Sequence, residues 1–328
     1  MQSTESLWHS AKQKLSNIQL KSGEFHLVRI DESSVVASYC GMDEGGRLFL
    51  AFRTSKRSLI PELKTSAFDS YISQRPDKTW LYMLRLVDNK LRSVFETLCI
   101  DLTNEVCTTD SEDAAIHLLK KRVRSWEKLF AASFDGLLSR SQVIGLIGEL
   151  NLLLDLIESG KLPPASALAG WQGPYGSDQD FIFADSAIET KTIRDNLNEV
   201  SISNLEQLNI ERFPVLQLVV NRYRDVATED PNAINLNSLT SRLVSKFTHD
   251  PILLREFNTS MLEAGYVHHD SYDQLAIAII QKDAYSVTAD FPRLMLSMVM
   301  NGVTDAKYQV SLLSTDSFKL TPYPYGNN

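Results

Sequence analysis

Long apolar runs are missing from this sequence: no stretch of its 328 residues approaches the roughly 18 consecutive apolar residues of a membrane span. Cysteine is scarce. Cys40, Cys99 and Cys107 are odd in number, widely spaced and never paired as C-x-x-C, which argues against a disulfide framework or a structural zinc site. Residues 1–17 have neither the apolar core nor the small-residue cleavage site of a signal peptide, so the expected location is the cytoplasm, with no membrane partner. Excess positive charge is missing too. A net charge of −8 does not suit a sequence-blind nucleic-acid coat, which binds by neutralising phosphates. Histidine is absent from residues 139–225, the six histidines all lying outside that stretch, which disfavours histidine-based hydrolysis there. His268-His269-Asp270 makes a poor metal pair, since adjacent residues on an extended chain point apart. There is no Walker motif, no G-x-S-x-G elbow and no dinucleotide fingerprint.

What remains is an ordinary globular composition, 43% hydrophobic and 23% charged, long enough for two or three domains. Residues 25–30, 34–39, 47–53, 80–87 and 93–102 read as short strands separated by turns such as Gly45-Gly46 and Asp88-Asn89-Lys90. From 113 to about 134 the pattern becomes helical, with Ile116, Leu119, Val123 and Trp126 on one face. A second helix is predicted from Ser139, where Ser139 and Gln142 have capping-box spacing, to Glu158 before Gly160 and Pro163-Pro164. A hairpin over 181–192 follows, then a helix from a second capping box at Ser203 and Glu206 to about 210, and a buried strand over 215–221. The remainder reads as two helices, the second entered at Asp250-Pro251, strands at 275–281, 285–289 and 307–313, and a helix over 293–300. Three segments are expected: a β-rich 1–110, a core over 111–225 and a mixed α/β region over 226–328.

The chemistry concentrates between Ser139 and Gln207. Glu149 is the one charge between Arg140 and Asp155, on the flank of an apolar helical stripe, and a carboxylate there needs a lysine or a cation. Asp180 opens the hairpin. Glu189 and Lys191, two apart on its second strand, face the same side. An acid followed at a distance by acid-x-Lys arises about once by accident in a chain of this size. Two decoys occur here, Asp43 with Glu62-Leu63-Lys64 and Asp290 with Asp305-Ala306-Lys307. Pro61 is wrong for a central strand, and the second decoy spans a predicted helix; only the Asp180 set joins a strand pair to flanking helices. Trp171 and Tyr175, just upstream, fit core packing better than base stacking.

These residues resemble a bacterial family of PD-(D/E)XK-motif proteins often grouped with restriction and phage-defence genes. The resemblance rests on Gly145-Leu146-Ile147-Gly148-Glu149-Leu150, Trp171 with Gly173-Pro174, Asp180-Phe181, Ile188-Glu189-Thr190-Lys191, Ile202-Ser203 with Gln207-Leu208, and Phe291-Pro292-Arg293; it covers most of the chain from about residue 25. Gln179 stands where the familiar Pro-Asp pair has proline. The resemblance implies an α+β, restriction-endonuclease-like core, a mixed sheet flanked by helices. It also implies a Mg²⁺-dependent nuclease, with manganese able to substitute, leaving 5′-phosphate ends. Asp180, Glu189 and the Thr190 carbonyl would hold the metal, and Glu149 a second metal or a metal-bound water. Lys191 would orient the attacking water, with Gln207 near it. A DNA endonuclease in defence is the leading expectation; a catalytically silent DNA-binding or scaffold subunit, an RNA nuclease and a repair exonuclease remain open. DNA contact is expected from Arg47, Arg53, Lys56 and Arg57, with Lys64 nearby; a second basic run is Lys120, Lys121, Arg122, Arg124 and Lys128. Solvated surface explains either patch as well. A homodimer is expected, since one site per chain cuts one strand, with other defence proteins as further partners.

Overall fold

The computed structural model describes residues 4–326 apart from 17, 19–20, 22–23, 32–33, 58–59, 61–64, 66–67 and 133–136, so Glu62 and Lys64 lie outside the described residues. The chain divides into two compact units, Met1–Leu137 and Leu138–Asn328. Among the described residues no helix is long and apolar enough to cross a membrane.

In the first unit, helix α1 (Thr4–Ser16) precedes strands β1 (Phe25–Arg29), β2 (Ala37–Asp43), β3 (Leu48–Thr54), β4 (Phe68–Gln74) and β5 (Trp80–Leu86). They form one antiparallel sheet in the order β1-β2-β3-β5-β4. The segment 93–102, expected as a strand, belongs instead to helix α2 (Arg92–Cys107). Its buried residues Val94, Phe95, Leu98, Cys99, Leu102 and Val106 recur at helical spacing, which a short apolar window cannot distinguish from a buried strand. Helix α3 (Glu112–Ala132), expected to belong with the following core, packs instead beside α2 in this same unit. Phe68 meets Phe130 edge-on at 4.5 Å and Phe95 at 6.2 Å, so α2 and α3 cover one face of the sheet. Ala51, Leu81 and Met83 pack with Leu27, Tyr39 and Tyr71 on the other.

The second unit opens with α4 (Arg140–Glu158), whose Ser139 and Gln142 form the expected capping box, and α5 (Pro164–Gly170). A four-stranded sheet runs β10-β9-β7-β6, built from β6 (Phe181–Ile182), β7 (Ser186–Arg194), β9 (Val215–Asp225) and β10 (Ile277–Ser286). β7 is antiparallel to β6 and parallel to β9, so the sheet is mixed. Helices α6 (Leu236–Phe247) and α7 (Pro251–Glu263) follow β9; α4 packs on β7 and on α6. A two-stranded ribbon, β8 (Glu199–Ile202) with β11 (Tyr308–Ser311), contributes Val200, Ile202 and Val310 to a core with Leu216, Leu218 and Val220 of β9. A mixed sheet flanked by helices is thus present as expected, and β10 ties the residues beyond 225 into the same unit.

Two predicted helices are not formed. After Ser203 the chain makes turns, because Asn204 Oδ1 accepts the Glu206 and Gln207 N–H groups and Asn209 Oδ1 accepts that of Glu211. Such local side-chain bonds compete with a helix. Over 293–300 there is only a 3₁₀ turn, Leu296–Met298, because an unbroken apolar run has no single face to bury. The strands read at 275–281 and 285–289 are largely one, β10, carrying a register shift between Ile279 and Gln281.

In the first unit Asp101 accepts from Arg122 Nε at 2.7 Å and from Trp126 Nε1 at 2.8 Å, joining α2 to α3. Arg122, counted in the second basic run, is therefore a buried structural residue. Asp101→Ala leaves that guanidinium without its carboxylate and should cost about 3 kcal/mol of stability. Chemical denaturation of the variant checks this, and a cost below about 1 kcal/mol would mean a solvent-screened surface pair.

Candidate active site

The open edge of β7 creates the site. Phe183 N–H donates to the Ser186 carbonyl, so the even-numbered residues of β7 turn their backbone groups toward β6. β6 is only two residues long, and its pairing ends at Ile188. The next inward group, the Thr190 N–H, donates instead to Asp180 Oδ2 at 2.8 Å. The Thr190 carbonyl lies along the same edge, beside that carboxylate.

Side chains of the odd-numbered residues leave the other face. Glu189 is 1% exposed, and Lys191 Nζ lies 2.5 Å from its Oε1. Neither Glu189 oxygen makes an aligned hydrogen bond, so the contact is one of charge. Lys191 Nζ also donates to Gln207 Oε1 at 3.3 Å, and that oxygen accepts the Ser203 N–H at 2.7 Å. The residue expected at a helix start thus reaches Lys191 from a turn.

Glu149 arrives from α4. Its Oε2 accepts the indole N–H of fully buried Trp171 at 2.8 Å, so Trp171 packs and orients and does not stack on bases. The Asp180 carbonyl accepts the N–H groups of Gln172 (2.8 Å) and Gly173 (3.0 Å), which folds the turn after Trp171 against the hairpin. A β-carbon on Gly173 would lie 2.6 Å from Glu149 Oε2 and 3.3 Å from Asp180 Oδ1. Both carboxylates therefore crowd one point that only a glycine leaves open. Glu149 and Asp180 keep partial solvent access, as groups that meet a substrate must.

Loss of solvent, reinforced by the neighbouring Asp180, pushes the Glu149 carboxyl up to about 8. Loss of solvent likewise raises Asp180 to about 6, against the opposing Lys191 ammonium and Thr190 N–H. Burial and then Asp180 hold Glu189 well above the ordinary carboxylate range. Oxygen-only donors, unsatisfied Glu189 oxygens and a free strand-edge carbonyl suit a hard cation such as Mg²⁺, which takes one or two carboxylates and keeps several waters. Among the described residues no three His, Cys, Asp or Glu side chains gather as a ready ligand cluster. The fitting set is Asp180, Glu189 and the Thr190 carbonyl.

Two contributors escaped sequence reasoning. Trp171 fixes Glu149 through its indole, for which the only sequence signal is the Trp-x-Gly spacing. Gln179 is fully buried, and its Nε2 donates to the carbonyls of Glu206 (2.6 Å) and Gln207 (3.3 Å), fastening the turn that carries Gln207 to the residue before Asp180. The decoys have structural roles: Asp43 accepts the N–H groups of Gly45 and Arg47, and Asp305 accepts that of Leu205. His269 caps a 3₁₀ turn through Ser271.

The first-unit basic residues do not form one cluster. Arg47 pairs with Asp43 at the β2–β3 turn, 2.8 Å away. Arg53, Lys56 and Arg57 lie at the other end of β3, roughly 20 Å along a strand rising ~3.3 Å per residue. Arg57 sits over the Trp80 ring.

A carboxyl whose folded pKa is raised holds its proton more tightly folded than unfolded, so its contribution to stability is fully present below the unfolded pKa and lost as pH rises toward the folded one. For Glu149 that window runs from 4.5 to about 8. The metal-free protein should therefore lose Tm across it. Mg²⁺ or Mn²⁺ should raise Tm more at its upper end, where the carboxylates ionise, and Glu149→Gln should flatten the slope. Thermal denaturation with and without EDTA checks the sign; a metal-free Tm that rises across the window would contradict it.

A family model described as "Putative PD-(D/E)XK family member (DUF4420)" matches residues 5–313. No curated protein and no solved structure matches the chain. The matched span contains Glu149, Asp180, Glu189, Lys191 and Gln207 and most of both compact units: the chain belongs to this DUF4420 family of PD-(D/E)XK proteins.

Proposed function

We propose that this chain is a divalent-metal-dependent nuclease that hydrolyses DNA phosphodiester bonds, as an endonuclease in restriction or phage defence. The observation that carries the reading is the meeting of Asp180, Glu189 and Lys191 at the open edge of β7, with Glu149 brought against Asp180 by the Trp171–Gly173 turn. Membership of a PD-(D/E)XK family supports it, since proteins with this motif are in general metal-dependent nucleases.

A bound Mg²⁺, or Mn²⁺ in its place, would supply charge neutralisation at the phosphate and a more acidic water. Asp180, Glu189 and the Thr190 carbonyl would hold it, while Glu149 would orient a second cation or a water. Lys191 leaves its contact with Glu189 to orient the attacking water and to offset charge building on the phosphate oxygens. The water oxygen forms the new bond to phosphorus, the P–O3′ bond breaks, and the products are a 5′-phosphate and a 3′-hydroxyl. Gln207 steers the lysine through Oε1, which the Ser203 N–H holds in place. One such site cuts one strand, so the reading includes a cytoplasmic homodimer acting with other defence proteins. DNA would also meet the first unit at Arg53, Lys56 and Arg57, with Arg47 a separate contact.

The test is cleavage of plasmid, linear duplex, single-stranded DNA and RNA with Mg²⁺ or with EDTA. Asp180→Ala and Lys191→Ala should each lower DNA cleavage by at least about a hundredfold, the scale of removing one preorganised electrostatic interaction, while keeping the folded far-UV signal. Full activity in either purified variant removes the site from consideration, and preferential cutting of RNA would reassign the substrate. A triple charge reversal at Arg53, Lys56 and Arg57 should weaken DNA binding and reduce its salt slope by about one for each phosphate no longer neutralised. Unchanged affinity and slope would mean a solvated surface.

A further inference from the structure

The connection from β10 to β11 is fixed at both roots and bare at its tip. At the first root Phe291 is buried, and Arg293 folds its guanidinium back onto the carbonyls of Ala289 (2.9 Å) and Phe291 (3.3 Å). At the second, Asp305 Oδ1 accepts the N–H groups of Ala306 at 2.8 Å and Leu205 at 3.0 Å. Leu205 precedes Gln207 by two residues, and Gln207 touches Lys191. The loop therefore stands on the rim of the acidic site. Between the roots Leu296 is 56% exposed, Met298 58% and Met300 83%.

Apolar side chains held together in water mark an interaction surface. Its charge selects the partner. From 291 to 307 the charged residues are Arg293, Asp305 and Lys307, so the segment carries a net positive charge in a chain of −8. Asp305, its one carboxylate, is already engaged by two backbone N–H groups. A polyanion can approach this loop more readily than most of the surface. Leucine and methionine, moreover, are among the side chains that enter between base pairs, unstack a step and kink a duplex.

We propose that Leu296, Met298 and Met300 form a wedge that enters the base stack of duplex DNA beside the phosphate at Lys191, opening one step so that the strand bends into the acidic site. The inference rests on the nuclease reading above and names the substrate form that the site takes. A protein interface would require the tip to be covered by another chain, and a second copy is the rival occupant.

The experiment uses the full chain with Ca²⁺ in place of Mg²⁺, to allow binding without cutting, and duplexes carrying 2-aminopurine at successive positions as the unstacking probe. Wild type should brighten the probe several-fold at one or two adjacent positions. Leu296→Ser/Met298→Ser/Met300→Ser alters only exposed side chains, so its Tm should stay near wild type. It should lose the fluorescence change and bind duplex about tenfold more weakly, the unstacked step no longer being held open. Equal fluorescence and affinity in the variant overturn the wedge. So does a shift from dimer to monomer by light scattering with DNA affinity unchanged, which assigns the tip to a second copy. Cleavage by wild type with Mg²⁺, read in parallel, separates the failures. Cutting without probe brightening sinks the wedge alone; neither duplex binding nor cutting sinks the nuclease reading with it.

Discussion

Three carboxylates face one ammonium. Glu189 is buried, Glu149 and Asp180 are half-buried, and Lys191 is the one cation that reaches them. Placing like charges out of water costs free energy that a single lysine cannot offset, so the second unit is assembled around an electrostatic deficit. Each carboxylate has a different remedy. Asp180 takes a backbone N–H, Glu149 an indole N–H, and Glu189 only the ammonium. None of these remedies neutralises the site. A cation binding there relieves a cost already built into the folded chain, and this couples metal affinity to the stability of the fold.

The backbone makes this arrangement possible by stopping short. Had β6 continued past Ile182 in register, a neighbouring strand would have taken the inward-facing groups of Thr190, and Asp180 would have had no edge to cap. Two glycines set the remaining distances in different ways. A β-carbon on Gly148 would fall 1.8 Å from Thr192 Oγ1, so its absence lets α4 settle onto β7 and places Glu149 beside the hairpin. Gly173 leaves room for the carboxylates themselves. Helix packing and site geometry are thus one problem: raising α4 by the width of a methyl group would carry Glu149 away from Trp171.

What could be read from the sequence were the features written locally. The two-residue period of Glu189 and Lys191, the capping box at Ser139, the break at Gly160 and the Asp250 cap all act within a few residues of themselves, and each stands where the pattern put it. What could not be read depends on partners far along the chain. Residues 93–102 became helix because α3 and β4 offer a surface to their stripe. The capping pair at Ser203 lost to Asn204, which satisfies the same backbone donors by a shorter route. The basic cluster dissolved because Arg47 and Arg53 occupy opposite ends of one strand, a separation that nearness in sequence conceals.

Gln179 shows how a departure from a motif can be compensated. Proline before the aspartate would restrict the backbone there and could donate nothing. The glutamine gives up that restriction, yet its amide reaches the carbonyls of Glu206 and Gln207 across the core. The residue before the metal-side aspartate and the turn that presents Gln207 to Lys191 become one hydrogen-bonded unit. Two strands of chain that meet only at the site are held in register by a side chain that itself touches no substrate. Preorganisation of that kind requires the supporting residue to be buried and its rotamer fixed, and at this position the glutamine is fully buried and bonded to both carbonyls of the turn.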